Sequence, residues 1–225
     1  MAASLEDKRI VLTGSTGRLG RQIVNAFAGT GASLITVDRS IDMELVEQNE
    51  HILLATVADV TEESSVVDCF AHILDETGTP DMVIHTIGGW DGRPLLDTSL
   101  DSWQSMLDLN LTSSFLVFRE ALRLMNEKGG GLIGITAGQG ADRGVAQQAA
   151  YSATKGGLTR LIESIADEYK GTGITAHAIA PAMILFEEPY DNSGVPARDL
   201  AELCVYLSTD AGRSLNGATL RAYGA

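Results

Sequence analysis

Cysteine is scarce in this chain, which has two cysteines, Cys69 and Cys204, among its 225 residues. They lie far apart within helix-like patterns and lack the paired spacing of a metal site, so we expect buried free thiols and a reducing compartment. Histidine is also scarce, and the four residues are His51, His72, His85 and His177. No two of them stand in an H-x-x-x-H or H-E-x-x-H relation, so we expect no metal site.

Positive charge is in short supply as well. Sixteen lysine and arginine residues face thirty aspartate and glutamate residues, which gives a net charge of −14 at pH 7. Nucleic acids and anionic membrane surfaces would repel such a protein, so we expect neither as a partner. The acidity suits the solubility of an ordinary cytosolic protein and also adaptation to salt, and the small share of lysine leans slightly toward the second explanation.

Long apolar runs, linkers, repeats and low-complexity tracts are absent from the sequence. The N-terminal segment carries Glu6, Asp7, Lys8 and Arg9 and no apolar h-region. No run of about 18 apolar residues follows, so we expect neither secretion nor a membrane span. The length suits one large core. We therefore expect a single domain over residues 1–225, located in the cytoplasm.

A glycine-rich turn follows the first predicted strand. The apolar run of residues 9–12 is followed at positions 13–20 by TGSTGRLG, and a helix pattern begins at Leu19. Strand, glycine turn and helix in this order are typical of a dinucleotide site. The glycines let the backbone approach a pyrophosphate, whose charge the unpaired N–H groups at the helix start would bind. Alone, such a turn would also suit an ordinary turn that separates a strand from a helix and binds nothing.

An acidic residue, Asp38, ends the next predicted strand, residues 33–37. It stands about twenty residues after the turn, where a carboxylate accepts hydrogen bonds from the ribose 2′- and 3′-hydroxyls and repels a 2′-phosphate. This position favours NAD(H) as cofactor over the alternative of a solvated turn aspartate. Arg39 follows directly and would instead receive a 2′-phosphate, so NADP(H) stays possible.

The remaining elements alternate between strand and helix patterns. Further strands are predicted at residues 51–57, 82–86, 132–137, 174–180 and 218–222. Helices are predicted at residues 43–48, 62–77, 101–126, 148–169 and 197–207. Thr61 is expected to cap the helix 62–77, and residues 181–196 are expected to form a loop. Strands this apolar suit a parallel sheet covered on both faces. We predict an α/β fold, a single-domain Rossmann-like doubly wound sheet, mainly parallel, with about seven strands and helices on both faces.

Tyr151 and Lys155 stand four residues apart in the predicted helix 148–169, so they share one face. A tyrosine has a pKa near 10, and a neighbouring cation would lower that pKa by stabilising the phenolate. The pair therefore suits acid/base chemistry, although a solvated helix face would carry the same pattern. Two other polar residues stand out. Asn110 lies inside a predicted helix, where asparagine is a mediocre former, and is either exposed or buried with a function; His85 ends a strand where a doubly wound sheet places its ligand.

These residues together resemble the classical short-chain dehydrogenase/reductase family, and the likeness covers essentially the whole chain. The positions that carry it are the turn at 13–20, Asp38, Asp59, Asn110, Tyr151 and Lys155. The resemblance implies that Tyr151 is the acid/base, that Lys155 lowers its pKa and binds the nicotinamide ribose, and that Asn110 holds a water in the proton path. The cofactor-binding residues that it implies are Gly14, Ser15, Thr16, Gly17, Arg18, Leu19, Gly20, Asp38, Arg39, Asp59, Val60, Thr86, Ile87, Gly88, Tyr151, Lys155, Pro181, Ala182 and Ile184.

Three departures from the family pattern affect the expected cofactor site. Arg18 stands where the classical turn has glycine, which resembles the extended branch of the family. The family's Asn-Asn-Ala-Gly after strand four is replaced by HTIG at positions 85–88. The usual Pro-Gly after strand six is Pro181-Ala182, and the segment that normally builds a substrate lid is short.

A fourth departure is the missing serine of the family, which hydrogen-bonds the substrate carbonyl from the end of strand five. By strand alignment its position is Ala137, and by spacing it is Gly138. Thr136 is adjacent, but a shift of one residue on a strand sends its side chain to the opposite face. The dihydropteridine reductase branch of the family also resembles this chain locally, in a Gly-Gly-Trp after strand four and a hydroxyl-free end of strand five. The expected substrate-binding residues are Ala137, Gly138, Trp90 and Gln139.

The expected function is therefore an NAD(H)-dependent oxidoreductase that transfers a hydride between nicotinamide and a small carbonyl, alcohol or C=N substrate. An alternative is a catalytically weak or inactive nucleotide-binding regulatory protein that lost its chemistry with the serine. A third reading is an enzyme with little lid that acts on a large or carrier-bound substrate. We also expect a homodimer or homotetramer, because helices 101–126 and 148–169 carry apolar residues beyond those one sheet face needs: Phe115, Phe118, Leu122, Leu158 and Leu161.

Overall fold

The computed structural model of the protein describes residues 5–136, 138–190 and 193–224. The strands are β1 (Arg9–Thr13), β2 (Ser33–Asp38), β3 (Ile52–Val57), β4 (Met82–His85), β5 (Gly130–Ile135), β6 (Ile174–Pro181), β7 (Met183–Leu185), β8 (Gly194–Pro196) and β9 (Thr219–Ala222). The α-helices are α1 (Arg18–Phe27), α2 (Met43–Glu47), α3 (Glu63–Thr77), α4 (Leu100–Leu107), α5 (Ser113–Met125), α6 (Gly138–Asp142), α7 (Ala149–Glu168) and α8 (Ala197–Leu207).

Seven strands form one sheet in the order β3-β2-β1-β4-β5-β6-β9. Every neighbouring pair in it is parallel, from the β3–β2 edge to the β6–β9 edge. This confirms the predicted doubly wound sheet. The chain moves outward from β1 to β3 and then returns to β4 on the other side of β1. Such a reversal opens a crevice at the carboxyl ends of the two central strands, which is where open α/β sheets bind their ligands.

Helices cover both faces of this sheet, because alternate residues of each buried strand point to opposite sides. On β1, Val11 packs with the cluster that includes residues of α3, α5 and α7. Its neighbours Ile10 and Leu12 pack with the cluster that includes residues of α1 and α8. Burial of each such side chain stabilises the folded protein by about 1.5–3 kcal/mol. The sheet is therefore a rigid support for the loops at its carboxyl edge.

The predicted helix 101–126 is interrupted in the structure. A π-helical turn, Asp108–Thr112, separates α4 from α5. The hydroxyls of Ser113 and Ser114 donate to the carbonyl oxygens of Leu109 and Asn110, at 2.7 and 3.0 Å. Side-chain hydroxyls that bind backbone carbonyls compete with regular α-helical hydrogen bonds. A π-helical turn of this kind is a local bulge that is frequent at functional sites.

Three smaller expectations are corrected by the structure. Thr61 does not cap α3, whose N-cap residue is Glu62 without a side-chain cap bond; Thr61 instead donates from its amide and hydroxyl to Asp59. The expected loop 181–196 contains β7 and β8, which pair in parallel as a separate two-stranded sheet. Phe118 and Leu158, expected on an outer helix face, are 1% and 0% exposed and belong to the core.

In the described parts of the chain, no helix has both the length and the apolar character of a membrane span.

Candidate active site

A cleft of about 520 Å³ opens at the carboxyl ends of β1, β2 and β4. Most of the residues expected to bind a cofactor line it: Gly14, Thr16, Gly17, Arg18, Leu19, Gly20, Asp38, Arg39, Asp59, Val60, Thr86, Ile87 and Gly88. Three further residues that line the cleft were not expected there from the sequence: Thr61, Leu109 and Phe186. Ser15 is 3% exposed and lies beneath the turn without lining the cleft.

The glycine turn has room for backbone alone at two points. Gly14 has a φ of +80°, and a Cβ on it would lie 2.6 Å from Oγ1 of Thr86. A Cβ on Gly20 would overlap the carbonyl oxygen of Gly14. The turn leads into α1, whose N-cap residue Gly17 makes no side-chain cap bond. The N–H groups of this helix start are therefore available to an anion. This cradle and helix terminus fit the pyrophosphate of a dinucleotide.

Asp38 is held in place by its neighbours. One carboxylate oxygen, Oδ2, accepts hydrogen bonds from the amide of Thr16 at 3.0 Å and from its hydroxyl at 2.8 Å. The other, Oδ1, accepts from the amide of Arg39 at 2.9 Å. The acid expected to bind ribose is thus already tied to the glycine turn, with its side chain half-buried at the cleft. A fixed carboxylate at this point suits recognition of a ribose diol and opposes a 2′-phosphate.

Asp59 is the second carboxylate of the cleft. Its Oδ1 accepts from the amide of Thr61 at 3.0 Å and from the Thr61 hydroxyl at 2.7 Å. These two hydrogen bonds, first that of the hydroxyl and then that of the amide, lower the pKa of Asp59, and the charge of Arg39 adds to the effect. The cleft therefore carries two carboxylates, Asp38 and Asp59, together with the cation of Arg39.

Arg18 is engaged by the segment that follows β7. Its guanidinium lies 4.0 Å from the centre of the Phe186 ring and donates to Glu187 Oε1 at 3.1 Å. Phe186 thereby closes one side of the cleft next to the glycine turn. Ile184 of β7 packs with the core on the α1 and α8 side, and the amide of Ala182 donates to Ala222 at 2.8 Å. The expected residues at and after the end of β6 (Pro181, Ala182 and Ile184) do not line the cleft.

Lys155 is buried, with 5% of its surface exposed, and its Nζ donates to the carbonyl oxygen of Ile135 at 3.0 Å. Burial lowers its pKa to about 8. Burial also raises the pKa of the Tyr151 phenol. This direction is the opposite of the expected one, because desolvation of the phenolate dominates and the Lys155 ammonium points to Ile135.

The side chains of Lys155 and Asn110 meet at Gly88. A Cβ on Gly88 would lie 2.7 Å from Asn110 Oδ1 and 2.8 Å from Lys155 Nζ. Asn110 is fully buried, which decides between the two alternatives for it. Its Oδ1 accepts from the amide of Gly89 at 2.9 Å, and its Nδ2 donates to the Gly89 carbonyl at 3.1 Å. Since Gly88 lines the cleft, this contact brings the α7 lysine to the same cleft as the glycine turn.

His85 does not line the cleft, contrary to the expectation that it faces a ligand. It is 1% exposed, and its ring nitrogens contact the hydroxyls of Thr13 and Ser113 at 2.7 and 3.3 Å. Burial, with a smaller contribution from the charge of Lys155, lowers its pKa to about 3. His85 is therefore a neutral residue of the interior, directly behind the cleft.

The expected substrate side is described in part. Ala137 lies outside the described residues, as do the side chains of Gly138 and Gln139, whose backbone begins α6. Thr136 is buried and donates to the carbonyl oxygen of Ile179 at 3.2 Å. Trp90 is 64% exposed. No group of three or more potential metal-binding side chains was found among the described residues.

The chain is similar over its length to proteins named dehydrogenases. Residues 8–188 match the family model described as short chain dehydrogenase. A D-threitol dehydrogenase of Mycolicibacterium smegmatis is 28% identical over 239 residues, which cover 96% of this chain and 91% of the relative. Glucose 1-dehydrogenase 2 of Bacillus subtilis is 30% identical over 210 residues, which cover 88% and 80%. The solved structure of a citronellol catabolism dehydrogenase of Pseudomonas aeruginosa superposes with a TM-score of 0.87 at 26% identity and covers 100% of this chain and 97% of that one.

Proposed function

Because the chain belongs to the short-chain dehydrogenase family, we propose that it is an NAD(H)-dependent oxidoreductase acting on a small carbonyl, alcohol or C=N substrate. The observation that carries the proposal is the meeting of Lys155 and Asn110 at Gly88. Through it, two of the side chains proposed for proton chemistry, Lys155 and Asn110, reach the loop that lines the cleft opposite the glycine turn. Neither group alone would distinguish an enzyme from a nucleotide-binding protein.

The residues of the cleft divide the binding of the dinucleotide among them. The start of α1 and the turn around Gly14 and Gly20 would hold the pyrophosphate, since they offer free N–H groups and close backbone approach. Asp38 would accept the adenosine ribose hydroxyls, and its charge would exclude a 2′-phosphate. Thr16 orients that carboxylate through its two hydrogen bonds. When bound, the nicotinamide ring supplies or accepts the hydride.

Tyr151 is the proposed acid/base. Its phenol donates a proton to the substrate oxygen or nitrogen during reduction and takes it back during oxidation. Lys155 carries a pKa of about 8, so it can be charged at neutral pH and still exchange its proton readily. A shift of its ammonium from Ile135 toward the cleft would counter the effect of burial on Tyr151. Asn110 is proposed to hold a water in the proton path.

The absence of a hydroxyl at the end of β5 affects which substrates would react. Loss of one donor directed at a developing oxyanion typically costs about 2.7–4 kcal/mol in the reaction barrier. Simple ketones would therefore be poor substrates, whereas an electron-poor substrate such as a quinonoid dihydropterin needs less polarisation. The names of the relatives point to a second class, since D-threitol and glucose are polyhydroxylated. The members of both classes are small polar molecules that would enter an open site.

A homo-oligomer is proposed as the assembled form. A groove of about 580 Å³ lies on α5 and α7, and its apolar lining includes Phe115, Leu122 and Leu161. Phe115 of α5 is 43% exposed, a high value for a phenylalanine on a helix. A second copy would cover this face. Light scattering at micromolar concentration tests the assembly, and a monomeric mass would contradict it.

One titration series tests the cofactor and then the reaction. NADH and NADPH are titrated by fluorescence, and the preferred reduced cofactor is then offered with quinonoid dihydropterin, quinones and simple ketones. NAD⁺ is offered in parallel with D-threitol and glucose. We expect NADH to bind at least about tenfold more tightly than NADPH, a difference of about 1.4 kcal/mol. Equal affinities would contradict the assignment of Asp38.

The same series separates this proposal from a second candidate. The chain lacks the family's serine at the expected positions 137 and 138, so it would also suit a nucleotide-binding regulatory protein without catalysis. Tight NADH binding without turnover of any substrate class would favour that candidate. Turnover that depends on Tyr151 would favour the enzyme.

A further inference from the structure

A buried histidine links three separate elements directly behind the cleft. His85 ends β4, its Nδ1 lies 2.7 Å from the hydroxyl of Thr13 at the end of β1, and its Nε2 lies 3.3 Å from the hydroxyl of Ser113 at the start of α5. An edge-on contact with the ring of Phe118, with 5.9 Å between ring centres, packs it against α5. No role in the proposed chemistry uses this side chain, which stands 1% exposed.

The hydrogen-bond partners decide which ring nitrogen carries the proton. The Ser113 hydroxyl donates to the carbonyl oxygen of Leu109 at 2.7 Å, so towards His85 it acts as acceptor. The imidazole must then donate from Nε2 to Ser113. In the neutral ring Nδ1 is left as an acceptor, and it receives the hydroxyl proton of Thr13. The series of donors runs in one direction, from Thr13 through His85 and Ser113 to Leu109.

The last acceptor of this series belongs to the π-helical turn. The amide of Ser113 bonds to the carbonyl of Asp108 rather than to that of Leu109. The Leu109 carbonyl accepts a hydrogen bond from the Ser113 hydroxyl. The next residue is Asn110, whose carbonyl is bonded by the Ser114 hydroxyl and whose side chain holds both backbone groups of Gly89. Ser113 is thus bonded to the two residues that directly precede Asn110 in the turn, Asp108 and Leu109.

We propose that His85 is a positioning residue for the active site. As a neutral imidazole protonated on Nε2, it fixes the π-helical turn, and through that turn it holds Asn110 at the loop that Lys155 also reaches. The inference rests on the proposed function for its catalytic consequence. The hydrogen-bond series itself is a property of the protein alone.

Two substitutions separate the two hydrogen bonds of His85. Glutamine places its side-chain amide nitrogen near the position of Nε2, so His85→Gln keeps a donor for Ser113. Asparagine is shorter and places its amide near the position of Nδ1, so His85→Asn keeps a partner for Thr13 and loses Ser113. We expect His85→Asn to lower kcat about tenfold or more, with the substrate that is turned over fastest in the screen, because small displacements of catalytic groups are costly.

NADH affinity should change less than about threefold in both variants, since neither side chain lines the cleft. His85→Gln should retain kcat within the same range. Ser113→Ala should reproduce the loss in His85→Asn, and the double variant should be no slower than either single one, because both act through one hydrogen bond. Equal kcat in the asparagine and glutamine variants, or additive losses, would overturn the proposal.

A readout without cofactor or substrate completes the test. Nitrogen-15 NMR of the wild-type protein should show His85, assigned by its absence in His85→Gln, with a protonated Nε2 and an unprotonated Nδ1 between pH 5 and 8. The amide of Gly89, which donates to Asn110, should lose exchange protection in His85→Asn and keep it in His85→Gln. A protonated Nδ1, or unchanged protection in both variants, would overturn the inference. Failure to bind NADH or turn over any substrate would contradict the proposed function and leave these two results to decide the hydrogen-bond series.

Discussion

The two walls of the cleft are built from different parts of the sequence. The wall formed by the glycine turn and β2 uses backbone and near neighbours: Gly14 and Gly20 leave no room for a Cβ, and Thr16 holds Asp38. The opposite wall is the loop after β4, which side chains from distant elements support from behind. His85 ends β4, Asn110 lies in the π-helical turn and Lys155 lies on α7, yet all three lie around this loop.

Under the proposed function, this difference separates cofactor binding from proton chemistry. A backbone cradle can be preorganised by glycine spacing within a single strand-turn-helix unit, and it offers fixed dipoles and little that titrates. Behind the other wall lie groups whose protonation depends on burial: a lysine with a pKa of about 8 and a histidine with a pKa of about 3. Perturbed pKa values of this kind cluster at functional sites. Substitutions on the two walls should therefore fail in different ways.

The largest effect is expected from Tyr151→Phe on α7, the helix that also carries Lys155. The ring stays and the proton is lost, so turnover should fall by about 10²-fold or more while NADH affinity stays nearly unchanged. Absorbance assays give the rate, and fluorescence titration gives the affinity. Tyr206→Phe on α8, where the side chain is 44% exposed, is the matched control and should behave as wild type. A wild-type rate in Tyr151→Phe would refute the catalytic role of this residue.

On the wall formed by the glycine turn and β2, Gly20→Ala should act by disturbing the packing of the turn. Its Cβ would overlap the Gly14 carbonyl, and relief of such overpacking costs about 1–3 kcal/mol. The midpoint of urea unfolding should fall, and NADH affinity should fall with it. Gly144→Ala is the control, since a Cβ there meets nothing within 4 Å, and it should stay within about 0.5 kcal/mol of wild type. Equal stability of the two variants would show that the turn adapts.

Acidic pH should lower the free energy of unfolding, because the buried His85 stays neutral in the folded protein. The pKa of His85 falls from 6.5 to about 3 on folding, so below pH 6.5 the unfolded chain takes up a proton that the folded state refuses. Between pH 7 and pH 5 this lowers the free energy of unfolding by about 2 kcal/mol. His85→Gln lacks this contribution, so its advantage over wild type should grow, or its deficit shrink, by that amount. Parallel stability curves would contradict a neutral buried histidine; His177, also with a lowered pKa, contributes to both proteins alike.

The smallest effect concerns cofactor choice. Asp38→Ala removes the carboxylate held by Thr16 and should reduce the expected preference for NADH by about tenfold, or about 1.4 kcal/mol. NADPH should gain most, because the charge that opposes its 2′-phosphate is gone. Asp199→Ala on α8, with 56% of its side chain exposed, is the control for loss of one negative charge. An unchanged preference in Asp38→Ala would place cofactor discrimination elsewhere, with Arg39 as the next residue to vary.

Local patterns in the sequence predicted how the glycine turn and the end of β2 lie together. The order of strand, glycine turn, helix and acid is a property of about thirty consecutive residues, so spacing alone places Gly14 and Asp38 together. The parallel sheet followed from strands that are apolar at consecutive positions. The interruption of the long helix was missed, although Ser113 and Ser114 shortly after Asn110 were a usable signal, because paired hydroxyls compete for helix carbonyls. Phe186 as a lining residue had no signal in the sequence.

The sequence by itself determined the alternation of strands and helices, the position of the glycine turn and the identity of the groups with chemistry, since each depends on short-range spacing and side-chain type. Only the tertiary structure decided that His85 turns away from the cleft and that Lys155 bonds to Ile135. It also decided that burial sets the protonation of both. The physical reason is that desolvation and hydrogen-bond direction depend on which distant residues surround a group. Those neighbours are chosen by the packing of the whole sheet and its helices.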